Sequence, residues 1–273
     1  MRNQAFQEFE RTGWEEVASS YAGSIGRVTA GVAGPLLDAA GVERGSVVLD
    51  VATGPGWVAA AAVERGASAL GVDIAQAMVD EASRRHPYVE FRLGSAEELP
   101  VDSGTVDTVV SAFGMPHFAD HHAFAAEAFR VLRPGGRLAF SSWLPPARNP
   151  FFDVVLGAIA RQGSLDVGLP AGVDMFHWAA DEACDDLLTG AGFGPATREL
   201  VELVWTDEDG PAAMLDFLER GGVRSRALFL AQTAEAKSAI ADDIASSLAA
   251  YERDGRWAIP LRAFIVAADK LVG

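Results

Sequence analysis

Short apolar runs alternate with helical stretches between residues 46 and 143. Nearly every position of these runs is apolar, which is typical of strands that are buried on both faces of a parallel sheet. The runs cover residues 47–51, 69–73, 89–93, 106–112 and 138–143, and the helical stretches cover residues 58–65, 75–85 and 123–132. This alternation predicts an α/β fold with a parallel sheet and helices on both of its faces.

The pattern changes after residue 143, where three prolines lead into a different arrangement of elements. The hydrophobic pattern there predicts a helix at 151–160, a loop with glycine and proline at 163–172, and a helix at 181–191. It then predicts a sixth strand at 197–205, two or three helices within 212–253, and a seventh strand at 263–268. The first 40 residues are also helical in pattern. The added helices and the loop are typical of lids and pocket walls around a site.

The charge balance excludes several classes of partner. The chain has 38 acidic and 22 basic residues among 273, a net charge of −16. Such a charge repels phosphate backbones and anionic membrane surfaces, so we expect neither nucleic acid nor membrane as a partner. The longest apolar run, residues 57–63, is too short to span a bilayer, and the first residues lack the apolar core of a secretion signal. We therefore expect a cytoplasmic protein that acts on a small molecule, and the sequence does not indicate its oligomeric state.

A glycine loop follows the first predicted strand. Gly54-Pro55-Gly56 stands between that strand and a helix, where glycine lets a ligand approach the backbone and the helix N-terminus offers free amide donors. Asp73 ends the second strand, 17 residues after Gly56, where a carboxylate can accept hydrogen bonds from both hydroxyls of an adenosine ribose. By itself each feature has a simpler interpretation, a plain turn for the loop and a helix cap for the aspartate.

Two cofactors are compatible with this loop, because residues 54–59 also match the loose pattern of nicotinamide dinucleotide binders. Three features favour S-adenosylmethionine instead. Asp50 lies inside the first strand, where the dinucleotide pattern has an apolar residue. Polar residues that are able to read an adenine edge follow the third strand, at residues 94–100. Finally, a sixth and a seventh strand follow the fifth, in place of a repeated βαβ unit.

Five segments resemble, in order, the motifs of class I S-adenosylmethionine-dependent methyltransferases, and more narrowly the ubiquinone/menaquinone-type branch that acts on small molecules. They are DVATGPG, GVDIA, GSAEELP, VDTVVSAFGMPHF and LRPGGRLAF. The resemblance implies a Rossmann-like, seven-stranded, mostly parallel sheet with helical lid insertions. It implies one domain over residues 1–273, with a helical lid at 1–45, a cofactor-binding core at 46–143, and acceptor-pocket insertions at 144–180 and 207–256.

The resemblance also implies which residues hold the cofactor. Gly54 and Gly56 would flank its methionine part, and Asp73 would bind its ribose. The whole implied set is Tyr21, Asp50, Ala52, Gly54, Gly56, Asp73, Ile74, Met78, Ser95, Ala96, Glu97, Ser111 and Ala112. The sequence departs from the family at two positions, with Ala52 where many members have glycine and Ser95 where many have aspartate.

Methyl transfer needs alignment, exclusion of water and sometimes a base, because the sulfonium donor brings most of the reactivity. The side chain of histidine has a pKa near neutral pH, which makes His117 and His177 the candidate catalytic residues. His117 has an alternative interpretation as a cofactor contact or a cap. His117 and His121 have the i,i+4 spacing of metal ligands on a helix, but Pro116 interrupts the helix and no further ligand cluster is nearby, so we expect no metal. The expected acceptor pocket is aromatic and apolar: Trp14, Tyr21, Phe113, Met115, Trp143, Phe151, Phe152, Met175, Phe176 and Trp178.

The sequence thus predicts transfer of a methyl group from S-adenosylmethionine to carbon, oxygen or nitrogen of a small hydrophobic acceptor. The resemblance places such a reaction in the biosynthesis of a quinone or a specialised metabolite. Two alternatives stay open at this point. One is a protein that binds S-adenosylmethionine without transferring its methyl group, and the other is a nicotinamide-dependent oxidoreductase.

Overall fold

A computed structural model describes residues 3–271. Its strands are β1 (Val47–Val51), β2 (Ser68–Asp73), β3 (Glu90–Leu93), β4 (Val106–Ala112), β5 (Leu132–Trp143), β6 (Thr197–Asp207), β7 (Glu252–Arg253) and β8 (Arg256–Asp269). The first five are parallel and lie in the order β3-β2-β1-β4-β5, and the antiparallel β8 and β6 extend the sheet beyond β5. The predicted seven-stranded, mostly parallel sheet is confirmed. The two-residue β7, which pairs with β8, is an addition to it.

The helices are α1 (Gln4–Tyr21), α2 (Ile25–Thr29), α3 (Ala33–Ala39), α4 (Trp57–Glu64), α5 (Gln76–Arg85), α6 (His121–Val131), α7 (Pro150–Gln162), α8 (Asp181–Gly190), α9 (Pro211–Arg220), α10 (Val223–Leu230) and α11 (Ala234–Leu248). None of those in the described part of the chain combines the length and the apolar character that a membrane span requires. The domain predicted over residues 1–273 includes four residues, 1, 2, 272 and 273, that lie outside the described range.

Both faces of the sheet are buried, and neighbouring residues of a strand pack into different cores. Val48 and Val110 pack into one core with residues of α3, α7, α9 and α11, whereas Leu49 and Val109 pack into a second core with residues of α6 and α8. Strands covered on both sides need apolar residues at successive positions, since side chains alternate between the faces. This arrangement explains the continuous apolar runs of the sequence.

Two strands extend further than their apolar runs predict. β5 begins at Leu132, six residues before the predicted start at 138, because Leu132 already pairs with Val106 of β4, and after an irregularity in register the pairing continues from Arg137. β8 begins at Arg256 and includes Pro260, which faces Val204 of β6. Pro260 precedes the residues of β8 that pair with β5, so only one neighbouring strand is affected by its missing N–H donor.

The N-terminal helix α1 lies across the ends of two parallel strands. The carboxylate of Glu15 accepts hydrogen bonds from the backbone amides of Gln76 (2.7 Å) and Ala77 (2.9 Å), the first residues of α5. Ala75, which precedes α5, has no side-chain oxygen, so a residue from a distant helix serves as the cap. Nearer the N-terminus of the helix, the side-chain amide of Gln7 donates a hydrogen bond to the carboxylate of Glu97, in the loop after β3. These contacts hold α1 over the carboxyl edge of the sheet.

Candidate functional site

The loop after β1 contains three residues with left-handed backbone geometry: Ala52 (φ 56°), Gly54 (φ 52°) and Gly56 (φ 84°). The two glycines serve different purposes. A Cβ atom on Gly54 would meet no atom within 4 Å, so the backbone there borders open space. A Cβ atom on Gly56 would lie 2.6 Å from the ring of Phe91, so this glycine is needed for packing against β3. Gly54 is therefore the position at which a ligand can approach the main chain.

Asp73, at the end of β2, is held in place by two backbone amides. Gly54 donates to its Oδ2 at 2.9 Å and Ala75 donates to its Oδ1 at 3.0 Å. Burial raises the pKa of Asp73 above its ordinary value, against the opposing effect of these two hydrogen bonds. Each carboxylate oxygen accepts one hydrogen bond from the main chain and has capacity for another. Asp73 can therefore accept hydrogen bonds from two adjacent hydroxyls of a ligand.

Asp50, inside β1, is a buried carboxylate with one unsatisfied oxygen. Its Oδ2 accepts hydrogen bonds from the hydroxyl of Thr53 (2.6 Å) and the amide of Ala59 (3.1 Å). Its Oδ1 has no hydrogen-bond partner among the described residues. Burial raises the pKa of Asp50 from 3.8 to about 7, despite the bonds from Thr53 and Ala59. A buried oxygen without a partner is costly, and it fits a water-mediated contact to the amino-acid part of a cofactor.

One cavity joins this polar edge to an aromatic interior. Phe113 and Trp143 stack with ring centroids 3.7 Å apart and 8° between their planes, and Phe152 lies edge-on to Trp143 at 5.5 Å. Phe113 has a φ of 58°, a strained conformation for a bulky residue and one that is enriched at functional sites. The predicted residues that line the cavity are Trp14, Tyr21, Ala52, Gly54, Asp73, Ile74, Met78, Ala96, Glu97, Ala112, Phe113, His117, Trp143, Phe151, Phe152 and Met175.

The other predicted residues lie outside the cavity lining: Asp50, Gly56, Ser95, Ser111, Met115, Phe176, His177 and Trp178. Met115 and Trp178 belong to the core that also contains α6 and α8, and Trp178 packs on His121 at 4.5 Å. Phe176 contacts Phe152 without reaching the cavity, and the ring of His177 lies against Trp178. The segment after α7 thus approaches the cavity only through Met175.

His117 is paired with a buried glutamate of α1. Its Nδ1 lies 2.9 Å from Oε2 of Glu10, whose side chain is 2% exposed, and Trp14 meets the imidazole edge-on at 5.0 Å. Because a carboxylate only accepts hydrogen bonds, this contact places the proton of neutral His117 on Nδ1 and a lone pair on Nε2. The side chain of His117 is 21% exposed, which lets it reach the cavity. The pair has the arrangement of a base held by an acidic group.

Glu97 holds loops together from the edge of the cavity. One carboxylate oxygen accepts hydrogen bonds from Gln7 and Ser95, and the other accepts from the amide of Ala119 at 2.8 Å. Ser95, which stands where many resembling sequences have aspartate, is therefore engaged by Glu97. The polar edge expected to read adenine is used at least in part to tie α1 to the sheet.

The sequence interpretation missed several residues of the cavity, among them Glu10, Gln7, Arg224 and Ser225. Glu10 had a detectable signal, because Glu10 and Trp14 stand four residues apart on one face of a helix. Arg224 and Ser225 had none, since nothing local to α10 indicates that its N-terminus faces a cavity built by other segments.

Comparison with known proteins agrees with these observations. Residues 49–140 match the family described as "Methyltransferase domain". A demethylmenaquinone methyltransferase of Thermus thermophilus is 36% identical over 163 residues, which are 54% of this chain and 73% of that protein. The one from Beutenbergia cavernae is 37% identical over 115 residues, 42% of this chain, and the match spans 48% of that relative's length. The crystal structure of YcgJ from Bacillus subtilis has a similar fold, with a TM-score of 0.57 and 20% identity over 89% of this chain and 99% of YcgJ.

Proposed function

This chain belongs to the class I S-adenosylmethionine-dependent methyltransferases, and from that premise we propose that it transfers a methyl group from S-adenosylmethionine to a small hydrophobic acceptor. One observation carries the proposal. The amide of Gly54 and the carboxylate of Asp73 meet at 2.9 Å on the border of a cavity that continues into an aromatic interior. A hydroxyl-binding carboxylate beside an open backbone suits a nucleoside, and the interior suits an apolar acceptor.

The cofactor-binding residues of the proposal lie at the ends of β1, β2 and β4. Asp73 accepts hydrogen bonds from the ribose, Ile74 and Met78 pack beside the adenine, and Gly54 lets the main chain approach the methionine part. Asp50 attracts the ammonium group through its unpaired Oδ1, by way of water. When bound, S-adenosylmethionine supplies an electrophilic methyl group with a neutral thioether as the leaving group.

The acceptor half keeps water from the reacting atoms and holds the acceptor in line. The stacked rings of Phe113 and Trp143, with Phe152, form a rigid apolar wall, and Met175 adds an adaptable side chain opposite the helical lid. Alignment and exclusion of water account for much of the rate of such displacements. These residues therefore act through apolar contact and alignment, without forming a covalent bond to the acceptor.

His117 is the proposed base, and Glu10 the residue that positions it. Nε2 of His117 accepts the proton of an acceptor hydroxyl or amine as the new bond to the methyl group forms, and the imidazolium is stabilised by the buried carboxylate of Glu10. This pair favours oxygen or nitrogen over carbon as the methylated atom. His177 has no part in the proposal, because it does not line the cavity.

We also propose that the chain is one domain, in which residues 1–45 close the site and 144–180 and 207–256 surround the acceptor. The contacts of Gln7 and Glu15 with the loop after β3 and with α5 support this assignment of the N-terminal segment. The relatives named as demethylmenaquinone methyltransferases support quinone or specialised-metabolite biosynthesis as the setting.

Calorimetric titration tests the cofactor assignment. S-adenosylhomocysteine should bind the wild-type protein, whereas NADH should not, and Asp73→Ala should weaken the binding of S-adenosylhomocysteine about tenfold or more, because charge-assisted hydrogen bonds to the ribose are lost. Asp102→Ala is a matched control at an exposed aspartate before β4, and should change nothing. Unchanged affinity of the Asp73 variant would refute the placement of the ribose.

Methyl transfer itself is tested by following S-adenosylhomocysteine production with a panel of small phenols, hydroquinones and amines. Production that depends on one of these compounds supports the proposal. A protein that binds the cofactor and converts none of it with any acceptor tried is the outcome expected of the non-methylating alternative.

A further inference from the structure

The N-terminus of α10 opens into the acceptor half of the cavity. Five consecutive residues there, Gly221 to Ser225, line the cavity wall. The first amides of any helix lack partners within the helix, and no side chain caps α10 at Gly222. Such an end attracts negative charge, because its free N–H groups and the helix dipole point the same way. The cavity wall therefore has a positive region at this point.

A hydroxyl that has no hydrogen-bond partner among residues 3–271 stands at the same place. Ser225 is 5% exposed and borders the cavity, and its side chain forms no hydrogen bond with any residue between 3 and 271. The residue as a whole is buried, but its oxygen is not among the fully buried unsatisfied atoms, so it is accessible from the cavity. Ser225 thus offers an unused donor where the helix offers its free amides.

The third element is an arginine that forms no ion pair. Nη1 of Arg224 donates a long hydrogen bond to the backbone oxygen of Pro170 (3.5 Å), and its guanidinium lies over the ring of Phe6 (5.7 Å). Within residues 3–271 no carboxylate pairs with it. Two residues further along α10, Arg226 pairs with Glu16 at 2.8 Å. In a chain with 38 acidic residues and 22 basic ones, an arginine that is held in a cavity wall without a counter-charge is available to a ligand.

We propose that the acceptor is an apolar molecule with a carboxylate, and that Arg224, Ser225 and the N-terminus of α10 bind this carboxylate. The inference rests on the proposed methyl transfer and names the class of molecule that receives the methyl group. Arginine and free amides are well matched to the two oxygens of a carboxylate. The apolar part of the acceptor then lies along Phe217 and Leu261, which line the same cavity.

The anion site lies near the proposed base. Arg224 contacts Phe6 of α1, and Val223 lies so close to α1 that a Cβ atom on Gly13 would be 2.4 Å from it. Phe6, Glu10 and Gly13 follow helical spacing along one face of α1, and Glu10 holds His117. The acceptor therefore extends from the carboxylate at α10 toward His117 along this face, and its methylated atom is separate from its charged group.

Titration calorimetry with matched pairs of acids and amides tests the inference. The probes are benzoate and benzamide, 2-naphthoate and 2-naphthamide, and decanoate and decanamide, each added to the protein saturated with S-adenosylhomocysteine. At least one acid should bind about tenfold more tightly than its amide, because only the acid gains the charged contacts. Arg224→Met should abolish this preference, and Ser225→Ala should reduce it severalfold. Arg226→Met, on the same helix, should retain it.

Other outcomes of these titrations contradict the inference, and each one has a different meaning. If no acid binds better than its amide, or if Arg224→Met keeps the preference, the site does not hold a carboxylate of the acceptor. If Arg224→Met instead weakens the binding of S-adenosylhomocysteine itself, the arginine binds the carboxylate of the cofactor. A wild-type protein that does not bind S-adenosylhomocysteine at all contradicts the proposed function, which is a separate failure.

Discussion

The half of the cavity proposed to hold the cofactor (the cofactor half) is built from residues at the ends of neighbouring strands, whereas the half proposed to hold the acceptor (the acceptor half) is assembled from segments that are distant along the chain. Ala52 and Gly54 lie in the turn after β1, Asp73 is the last residue of β2, and main-chain amides fix the aspartate. The acceptor half takes Trp14 from α1 and Phe152 from α7, with further residues from α9, α10 and β8.

This difference separates two kinds of constraint. The cofactor half depends on backbone geometry, so its residues have few acceptable replacements. The acceptor half depends on apolar contact and on Arg224, and such a surface can change shape with the side chains of α7, α9 and α10 without disturbing the sheet. Specificity for the acceptor is therefore expected to vary while the cofactor half stays constant.

The largest expected effect concerns His117, which stands where the two halves meet. His117→Asn should lower kcat roughly 100-fold with any hydroxyl or amine acceptor that the wild-type protein methylates, because the base is lost. Its dissociation constant for S-adenosylhomocysteine should stay within about threefold of the wild-type value. Steady-state kinetics and calorimetry on the same preparations measure both quantities. A loss of cofactor affinity in place of kcat would assign His117 to the cofactor half.

Glu10 provides the companion measurement. Glu10→Gln should lower kcat roughly tenfold while the KM for S-adenosylmethionine stays the same, because the imidazole is no longer held in one tautomer or stabilised when charged. Glu8→Gln is a suitable control, since Glu8 is exposed on the same helix and, among residues 3–271, pairs only with its neighbours Arg11 and Thr12. A fall in kcat of equal size in both variants would show that the helix, and not the pair with His117, is responsible.

An intermediate effect is expected at Asp50, where the cofactor half contains a buried charge. Because the pKa of Asp50 is raised from 3.8 to about 7 in the folded protein, the folded state binds its proton more tightly than the unfolded state. This contribution to stability is complete below the unfolded pKa and is lost as pH rises through the folded pKa. Without ligand, Asp50→Asn should therefore be more stable than wild type by on the order of 2 kcal/mol at about pH 8, and the difference should shrink toward about pH 4.

Thermal unfolding of the ligand-free proteins across this pH range measures the effect. Asp102→Asn, at an exposed position, should follow the wild-type curve. The same Asp50→Asn change should weaken the binding of S-adenosylhomocysteine severalfold, because the attraction between the carboxylate and the ammonium group is lost. Parallel stability curves for wild type and Asp50→Asn would show that Asp50 does not titrate in this range.

The smallest effect is expected at Ala52, which has a φ of 56° where many resembling sequences have glycine. Ala52→Gly relieves the strain of a left-handed residue and adds flexibility to the unfolded chain, so the net stabilisation should be at most about 1 kcal/mol. Ala61→Gly, within helix α4, should instead destabilise the protein by roughly the same amount. Thermal unfolding measures the melting temperature of each variant against that of the wild-type protein. A change of the same sign in both variants would mean that Ala52 is not strained.

The sequence alone determined the elements of the sheet and which of its ends contain most of the residues proposed to bind the cofactor. Strands with both faces buried produce continuous apolar runs, and a strand, a glycine turn and a helix follow one another within ten residues of β1. Asp73 was predictable for the same reason, since the carboxyl ends of neighbouring parallel strands meet at one edge of a sheet. All of these features arise from interactions between residues that are close in sequence or fixed by the order of the strands.

Only the tertiary structure decided which side chains from distant segments line the cavity. It placed Glu10 beside His117 and the start of α10 in the cavity wall, and it packed Met115 and Trp178 into the core beside α6 and α8. The periodicity of a helix shows that one face is buried but not which distant segment covers it. That choice depends on how whole helices pack on the two faces of the sheet, and no short stretch of sequence contains this information.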